Sequence, residues 1–101
     1  MRLLMVGLLL MGGCVAAKPP SDERAAGCVS MTFAYRNITR DAAGPVLVRL
    51  DDRTDAYRDL GVYEQGPQGG RLLGRFRIWN DRRMEFADPA TGAWEPAGWC
   101  D

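Results

Sequence analysis

Three cysteines, at positions 14, 28 and 100, constrain this 101-residue chain more than any other feature. The first closes an N-terminal run in which Arg2 supplies one charge, Leu3–Met11 is apolar, and Gly12-Gly13 precede Cys14. One charge, a short greasy stretch and then small residues is the layout of a secretory signal. The stretch is too short for a stable bilayer-spanning helix, which needs about 20 residues. Export puts the remaining cysteines in a compartment where disulfides persist. An odd cysteine count in an exported chain then requires a separate role for one of the three.

Met11-Gly12-Gly13-Cys14 resembles a bacterial lipobox. In lipoproteins that cysteine is acylated and becomes the mature N-terminus. The resemblance therefore implies a signal peptide at 1–13 and a lipid anchor, and so a membrane contact, at Cys14. A plain secreted protein cut after Val15-Ala16-Ala17 is the alternative, and it leaves the place of Cys14 to chance. Val15 stands where enteric bacteria read an aspartate as a retention signal, so the resemblance points to the outer membrane and a periplasm-facing domain. Val15–Gly27 carries two prolines, four charges and no large apolar side chain beyond Val15. Residues 14–27 accordingly read as a lipidated end and flexible tether, leaving 28–101 as one domain.

A domain of that size buries only about 60% of its unfolded surface and lacks margin without a staple. With lipid on Cys14, Cys28 and Cys100 remain as a pair at the two ends of the folded part. A disulfide between them would restrict the unfolded chain by ~4.4 kcal/mol on the loop-entropy account. Two free thiols or a metal-binding pair are the alternatives. The chain has no histidine, so a metal reading has little support.

The apolar pattern is that of strands. Val29, Met31, Phe33 and Tyr35 alternate with Ser30, Thr32, Ala34 and Arg36, which predicts a first half-buried strand. After a polar loop over 37–44, Val46, Val48 and Leu50 mark a second. Asp51-Asp52-Arg53 reads as a turn into a weaker third strand around 56–63, with a short helix capped by Asp51 or Asp52 as its rival. Gln65–Gly70 reads as a glycine-rich loop. Leu72, Gly74, Phe76 and Ile78 form the next inward set, with Leu73, Arg75, Arg77 and Trp79 on the opposite face. Asn80-Asp81-Arg82 turns the chain towards Met84 and Phe86. Asp88–Gly92 has the chemistry of a type I turn ending in a left-handed residue, and Pro96 assigns Ala93–Cys100 to an edge. Sequential strands with short turns predict an all-β antiparallel meander closing into a small barrel or sandwich. Cys28 on the first strand and Cys100 on the last would pin its seam.

The residue types present argue against catalysis. Without histidine, Ser-His and Cys-His nucleophile pairs cannot form, and Ser30, the folded part's one serine, falls inside a predicted strand. No phosphate-loop motif is present. Asp51, Asp52 and Asp55 lack EF-hand spacing and read as exposed turn acids. Asp51, Asp55, Glu64 and Glu85 supply carboxylates, but nothing singles out a pair for glycoside hydrolysis. The expectation is a non-enzyme without metal or cofactor.

Charge is balanced in total but not along the chain. Residues 41–64 hold six acids against three arginines, whereas 71–83 hold five arginines against Asp81. This reads either as a solvated face with edge-protecting charges or as a two-signed partner surface. Arg75, Arg77 and Trp79 on one strand face have the outline of a nucleic-acid platform. Export argues against that partner, and arginine–aromatic faces also serve glycan and protein contacts. Trp79, Trp94 and Trp99 otherwise read as covers for the open ends of a barrel.

Cys28-Val29-Ser30-Met31-Thr32-Phe33 and Val46-Leu47-Val48-Arg49-Leu50-Asp51-Asp52 resemble the opening strands of the membrane-bound and periplasmic inhibitors of c-type lysozyme. That family continues with a loop of the form Ser-Ala-Ser-Gly-Ala-Arg-Tyr and then Phe-Trp-x-Lys-Gly. This chain offers Gly66-Pro67-Gln68-Gly69-Gly70-Arg71-Leu72 and Ile78-Trp79-Asn80-Asp81-Arg82. Gly69, Arg71 and Trp79 match in place, the serines are missing, and Arg82 lies one residue beyond the lysine position. The resemblance implies a small exported β-barrel that blocks a lysozyme cleft, with Gly69, Gly70, Arg71, Trp79 and Arg82 as partner-binding residues. A structural or superinfection-exclusion lipoprotein binding an outer-membrane protein is the alternative.

Overall fold

A computed structural model of the chain describes residues 18–67 and 69–101, so the expected signal segment, Cys14 and Gln68 lie outside the described residues. Regular structure begins earlier than expected, at helix α1, Asp22–Ser30. The Ser21 hydroxyl caps it, accepting the Arg24 N–H at 3.2 Å. Asp22 and Glu23 place negative charge where the first-turn N–H groups point. Thr32 ends this helix and starts the next, donating to the Val29 carbonyl at 2.9 Å and accepting the Tyr35 N–H at 3.0 Å. Helix α2 follows over Phe33–Thr39.

Two expectations are thereby corrected. Asp22–Gly27 is helix rather than tether, and the alternating stretch from Cys28 to Tyr35 is a helix pair rather than a strand. The capping hydroxyls of Ser21 and Thr32 each satisfy one otherwise orphaned N–H group at a helix start. At helical spacing Ala25 and Val29 share a face, and both are fully buried. Met31 and Phe33, expected inward, are 79% and 80% exposed. Ser30 ends α1, donating to the Gly27 carbonyl at 2.8 Å, and is not in a strand.

The remaining chain forms β1 (Val46–Arg53), β2 (Tyr57–Gly66), β3 (Gly69–Trp79), β4 (Arg83–Ala87) and β5 (Trp94–Trp99). They pair antiparallel in sequence order as one five-stranded sheet, the expected meander. The contested 54–63 stretch enters a strand. Its turn lies later than Asp51-Asp52-Arg53: β1 runs through those residues, and Thr54 organises the reversal by accepting the Ala56 and Tyr57 N–H groups at 3.1 Å. Gln65–Gly70 is mainly hairpin rather than loop, with Gln65 opposite Gly70 and Gly66 opposite Gly69. Its glycines weaken a strand without preventing pairing.

One irregularity reverses a side-chain assignment. The β2–β3 register steps from Val62–Gly74 to Tyr63–Leu72, so Leu73 joins the core in place of Leu72. Gly74, Phe76 and Ile78 are buried as expected. The turns at 80–82 and 88–92 also fall where the sequence puts them, with left-handed φ at Arg82 (76°) and Gly92 (72°). Pro96 sits on edge strand β5.

The core joins Ala25 and Val29 of α1 to Leu60, Val62, Phe76, Ile78, Met84 and Cys100. The sheet is open, with β1 and β5 as its edges, and α1 is tied to both sides. Its Asp22 carboxylate meets Arg53 of β1 and Arg58 of β2, the latter at 2.7 Å. Its Cys28 is bonded to Cys100, directly after β5, with Cα atoms 5.4 Å apart. The disulfide therefore joins a helix, rather than a first strand, to the end of the last strand. Replacing both cysteines (Cys28→Ala with Cys100→Ala) is expected to lower the unfolding free energy by about 2–5 kcal/mol. Urea denaturation monitored by circular dichroism measures this, and an unchanged midpoint contradicts it.

Candidate functional site: an arginine–aromatic sheet face

The five residues singled out for partner binding do not converge. Gly69, Gly70 and Arg71 start β3, whereas Trp79 ends it and Arg82 lies in the following turn. Along the 11-residue strand, Arg71 and Trp79 are about 26 Å apart at the usual rise per residue. Each charged member also has an internal partner. Arg71 donates to the Glu64 carboxylate through Nε at 3.0 Å and a terminal nitrogen at 2.6 Å. Glu64 further accepts the backbone N–H groups of Ala43 and Gly44, so this pair fastens the hairpin to the loop before β1. Arg82 donates through Nε to the Lys18 carbonyl at 3.3 Å.

Trp79 belongs to a different cluster, on the sheet face opposite the helices. Antiparallel register puts Tyr57 opposite Trp79 and Asp59 opposite Arg77. The two rings meet edge to face, with centroids 5.1 Å apart. The Arg77 guanidinium lies 3.8 Å from the Tyr57 ring centroid and 4.5 Å from that of Trp94. It donates two hydrogen bonds to Asp59, at 2.8 and 3.0 Å. The Trp79 indole donates to Glu85 at 2.7 Å, and Arg83 lies over the same indole at 5.1 Å. Trp94, expected as an end cover, instead borders Arg77. The acid-rich and arginine-rich stretches thus meet across the β2–β3 ladder in two ion pairs, Asp59–Arg77 and Glu64–Arg71.

A second polar group adjoins this cluster. Arg49 lies 4.2 Å from the Tyr63 ring centroid and pairs with Asp51 at 2.9 Å. The Tyr63 hydroxyl donates to Asp51 at 2.5 Å. Gly61 makes room for this, since a Cβ there would meet Tyr63 Cε1 at 2.5 Å and also the Asp51 carboxylate. Burial, reinforced by the hydrogen bond to Asp51, pushes the Tyr63 phenol above its ordinary pKa. Together with Asp59 and Arg75 these residues line an open depression of about 490 Å³. Arg75 has no ion-pair partner among the described residues.

Sequence reasoning found Arg75, Arg77 and Trp79 as one face but missed Tyr57, Asp59, Glu85 and Trp94. The signal was present as matching alternation on neighbouring strands, yet reading it required the hairpin register. The described residues contain no group of three or more Cys, Asp or Glu placed to hold a metal ion. No family of known proteins, no curated sequence and no solved structure matches this chain. The arrangement suits recognition: planar rings, fixed guanidinium groups, and Arg75 and Arg83 without ion-pair partners among the described residues, on one rigid sheet.

The Glu64 clamp has a pH signature. Hydrogen bonds from Arg71, then from the Ala43 and Gly44 amides, hold its carboxyl below the usual glutamate pKa. A lowered folded-state pKa contributes stability above the unfolded-state value, ~4.3, and that contribution is lost as pH falls through the folded value. Glu64→Gln is therefore expected to lower the melting temperature at pH 7, with the difference from the unsubstituted protein vanishing well below pH 4. A pH-independent difference contradicts the assignment.

Proposed function

We propose that this chain is a non-catalytic binding protein of the bacterial envelope, carried to the outer membrane by lipid on Cys14. We assign its partner contact to the sheet face bearing Tyr57, Arg77, Trp79, Arg83 and Trp94. The observation that carries this reading is the setting of Arg77, flanked by two rings and held by Asp59. Tryptophan, tyrosine and arginine dominate interface hot spots. Side chains already fixed by their neighbours have less conformational freedom to lose on binding. The Cys28–Cys100 bond supports an oxidising compartment.

The resemblance to lysozyme inhibitors supplies the first partner to test, a c-type lysozyme. In that family two loops meet the enzyme together, whereas the matching segments here lie at opposite ends of β3. The reading therefore moves the contact from Arg71 and Arg82 to the aromatic face. Arg83 and Arg75 would offer guanidinium groups to the enzyme's catalytic carboxylates.

Calorimetric and activity titrations of residues 15–101 against c-type lysozyme test this reading. Binding accompanied by inhibition is expected. Arg83→Ala with Trp94→Ala should weaken binding about tenfold or more, the scale of a hot spot. Arg71→Ala should leave affinity unchanged, because that side chain serves Glu64. Absence of inhibition at ~100 μM, a level that detects even weak complexes, would exclude lysozyme. Equal sensitivity to Arg71→Ala would move the contact back to the hairpin.

A further inference from the structure

The anchored reading leaves little chain between lipid and fold. Pro20 is buried, Ser21 caps α1, and the Lys18 carbonyl is bound by Arg82. Val15, Ala16 and Ala17 are the residues between Cys14 and Lys18, a reach of at most about 14 Å when extended. An acylated Cys14 would therefore hold the Lys18–Arg82 corner close to the lipid headgroups.

That corner adjoins the largest apolar side chains left in solvent. The Arg82 carbonyl accepts the Cys100 N–H at 2.8 Å, and Trp99, the preceding residue, is 64% exposed. Trp99 lines an open cleft of about 830 Å³ together with Ser21, Met31 and Phe33. Among the described residues these three large apolar side chains are the most exposed. Exposed apolar groups gathered in one place mark an interaction surface. Basic groups border them: Lys18 and Arg82 at the corner and Arg36 lying 5.5 Å from the Phe33 ring centroid, while Arg24 in the cleft wall is bound to the Asp101 main-chain oxygen. Glu23 and Asp101 are the acids of the same wall.

We infer that Met31, Phe33 and Trp99 form a lipid-docking face that enters the leaflet holding the Cys14 lipid, an inference that rests on the anchored reading above. Apolar tips beside a tryptophan and a basic rim suit the boundary between acyl chains and anionic headgroups. A single acyl chain holds a protein only marginally, and a second membrane contact makes the attachment stable. Helices α1 and α2 would then face the bilayer, leaving the Arg77 face turned towards the periplasm.

The test uses the full acylated chain with Trp79→Phe and Trp94→Phe, so that Trp99 is the sole tryptophan reporter. Vesicles of phosphatidylethanolamine and phosphatidylglycerol carry bromine on their acyl chains. Trp99 emission is expected to shift to the blue and lose half or more of its intensity. Adding Met31→Glu with Phe33→Glu should restore it while the acylated protein still floats with the vesicles. Both positions are exposed, and an unchanged circular dichroism spectrum establishes that the fold survives. Unquenched Trp99, or quenching that ignores the two glutamates, overturns the docking face whatever mass Cys14 carries. An intact mass showing unmodified Cys14 overturns the anchor independently. Dimerisation without lipid, abolished by the same glutamates, assigns the face to a second copy and also overturns the inference.

Discussion

A five-stranded meander that does not close on itself leaves β1 and β5 as edges and one sheet face in need of cover. Helix α1 supplies both needs. Ala25 and Val29 fill the face over Leu60, Val62 and Met84. Asp22 holds the β1–β2 end through Arg53 and Arg58, and Cys28 holds the end of β5 through Cys100. Of these ties the disulfide is the strongest constraint, because it acts on the unfolded chain over a sequence separation of 72 residues. Exposed ion pairs such as Asp22–Arg53 each add little. The placement of α1 depends on the covalent bond more than on its charges.

This arrangement separates the two faces by chemistry. The helix side carries the core and, at its rim, Met31 and Phe33, with Trp99 beside them on the edge strand, opposite Arg83. The other side carries ring–guanidinium contacts and opposed charges, with Gly61 giving Tyr63 and Asp51 space to meet. Proposed membrane docking through Met31 and Phe33 and proposed partner binding through the Arg77 cluster therefore use opposite faces, which meet at the β4–β5 edge where Trp99 pairs with Arg83. Lys18, held by Arg82, is where the proposed anchor segment would join the described fold.

Much of the sheet was legible because its signals are local. Val46, Val48 and Leu50, and then Phe76 and Ile78, alternate as strands must. Asn80–Arg82 and Asp88–Gly92 carry their turn residues in order. Val29–Tyr35 misled because alternation over so few positions also fits a helix interrupted at Thr32. The contrary signals were Ser21 ahead of Asp22-Glu23 and the threonine itself, both capping residues. The Leu72–Leu73 exchange had no local signal, since a bulge is set by pairing. The Cys28–Cys100 pair was legible from the cysteine count and the expected export, though its setting on a helix was not. The proposed binding face was half legible: Arg75, Arg77 and Trp79 share one strand, but Tyr57, Asp59 and Trp94 join them only through register. Arg71 drew attention through its likeness to a family motif, and its bond to Glu64 gives it a structural role.

Amide hydrogen exchange on the oxidised and the reduced protein tests most directly whether α1 is held to the open sheet by its disulfide. Reduction is predicted to release protection in α1 and β5 first, while the β2–β3 ladder around Leu60, Val62 and Phe76 stays slow. Unchanged protection in α1 after reduction, or a uniform loss that spares no strand, would contradict the account.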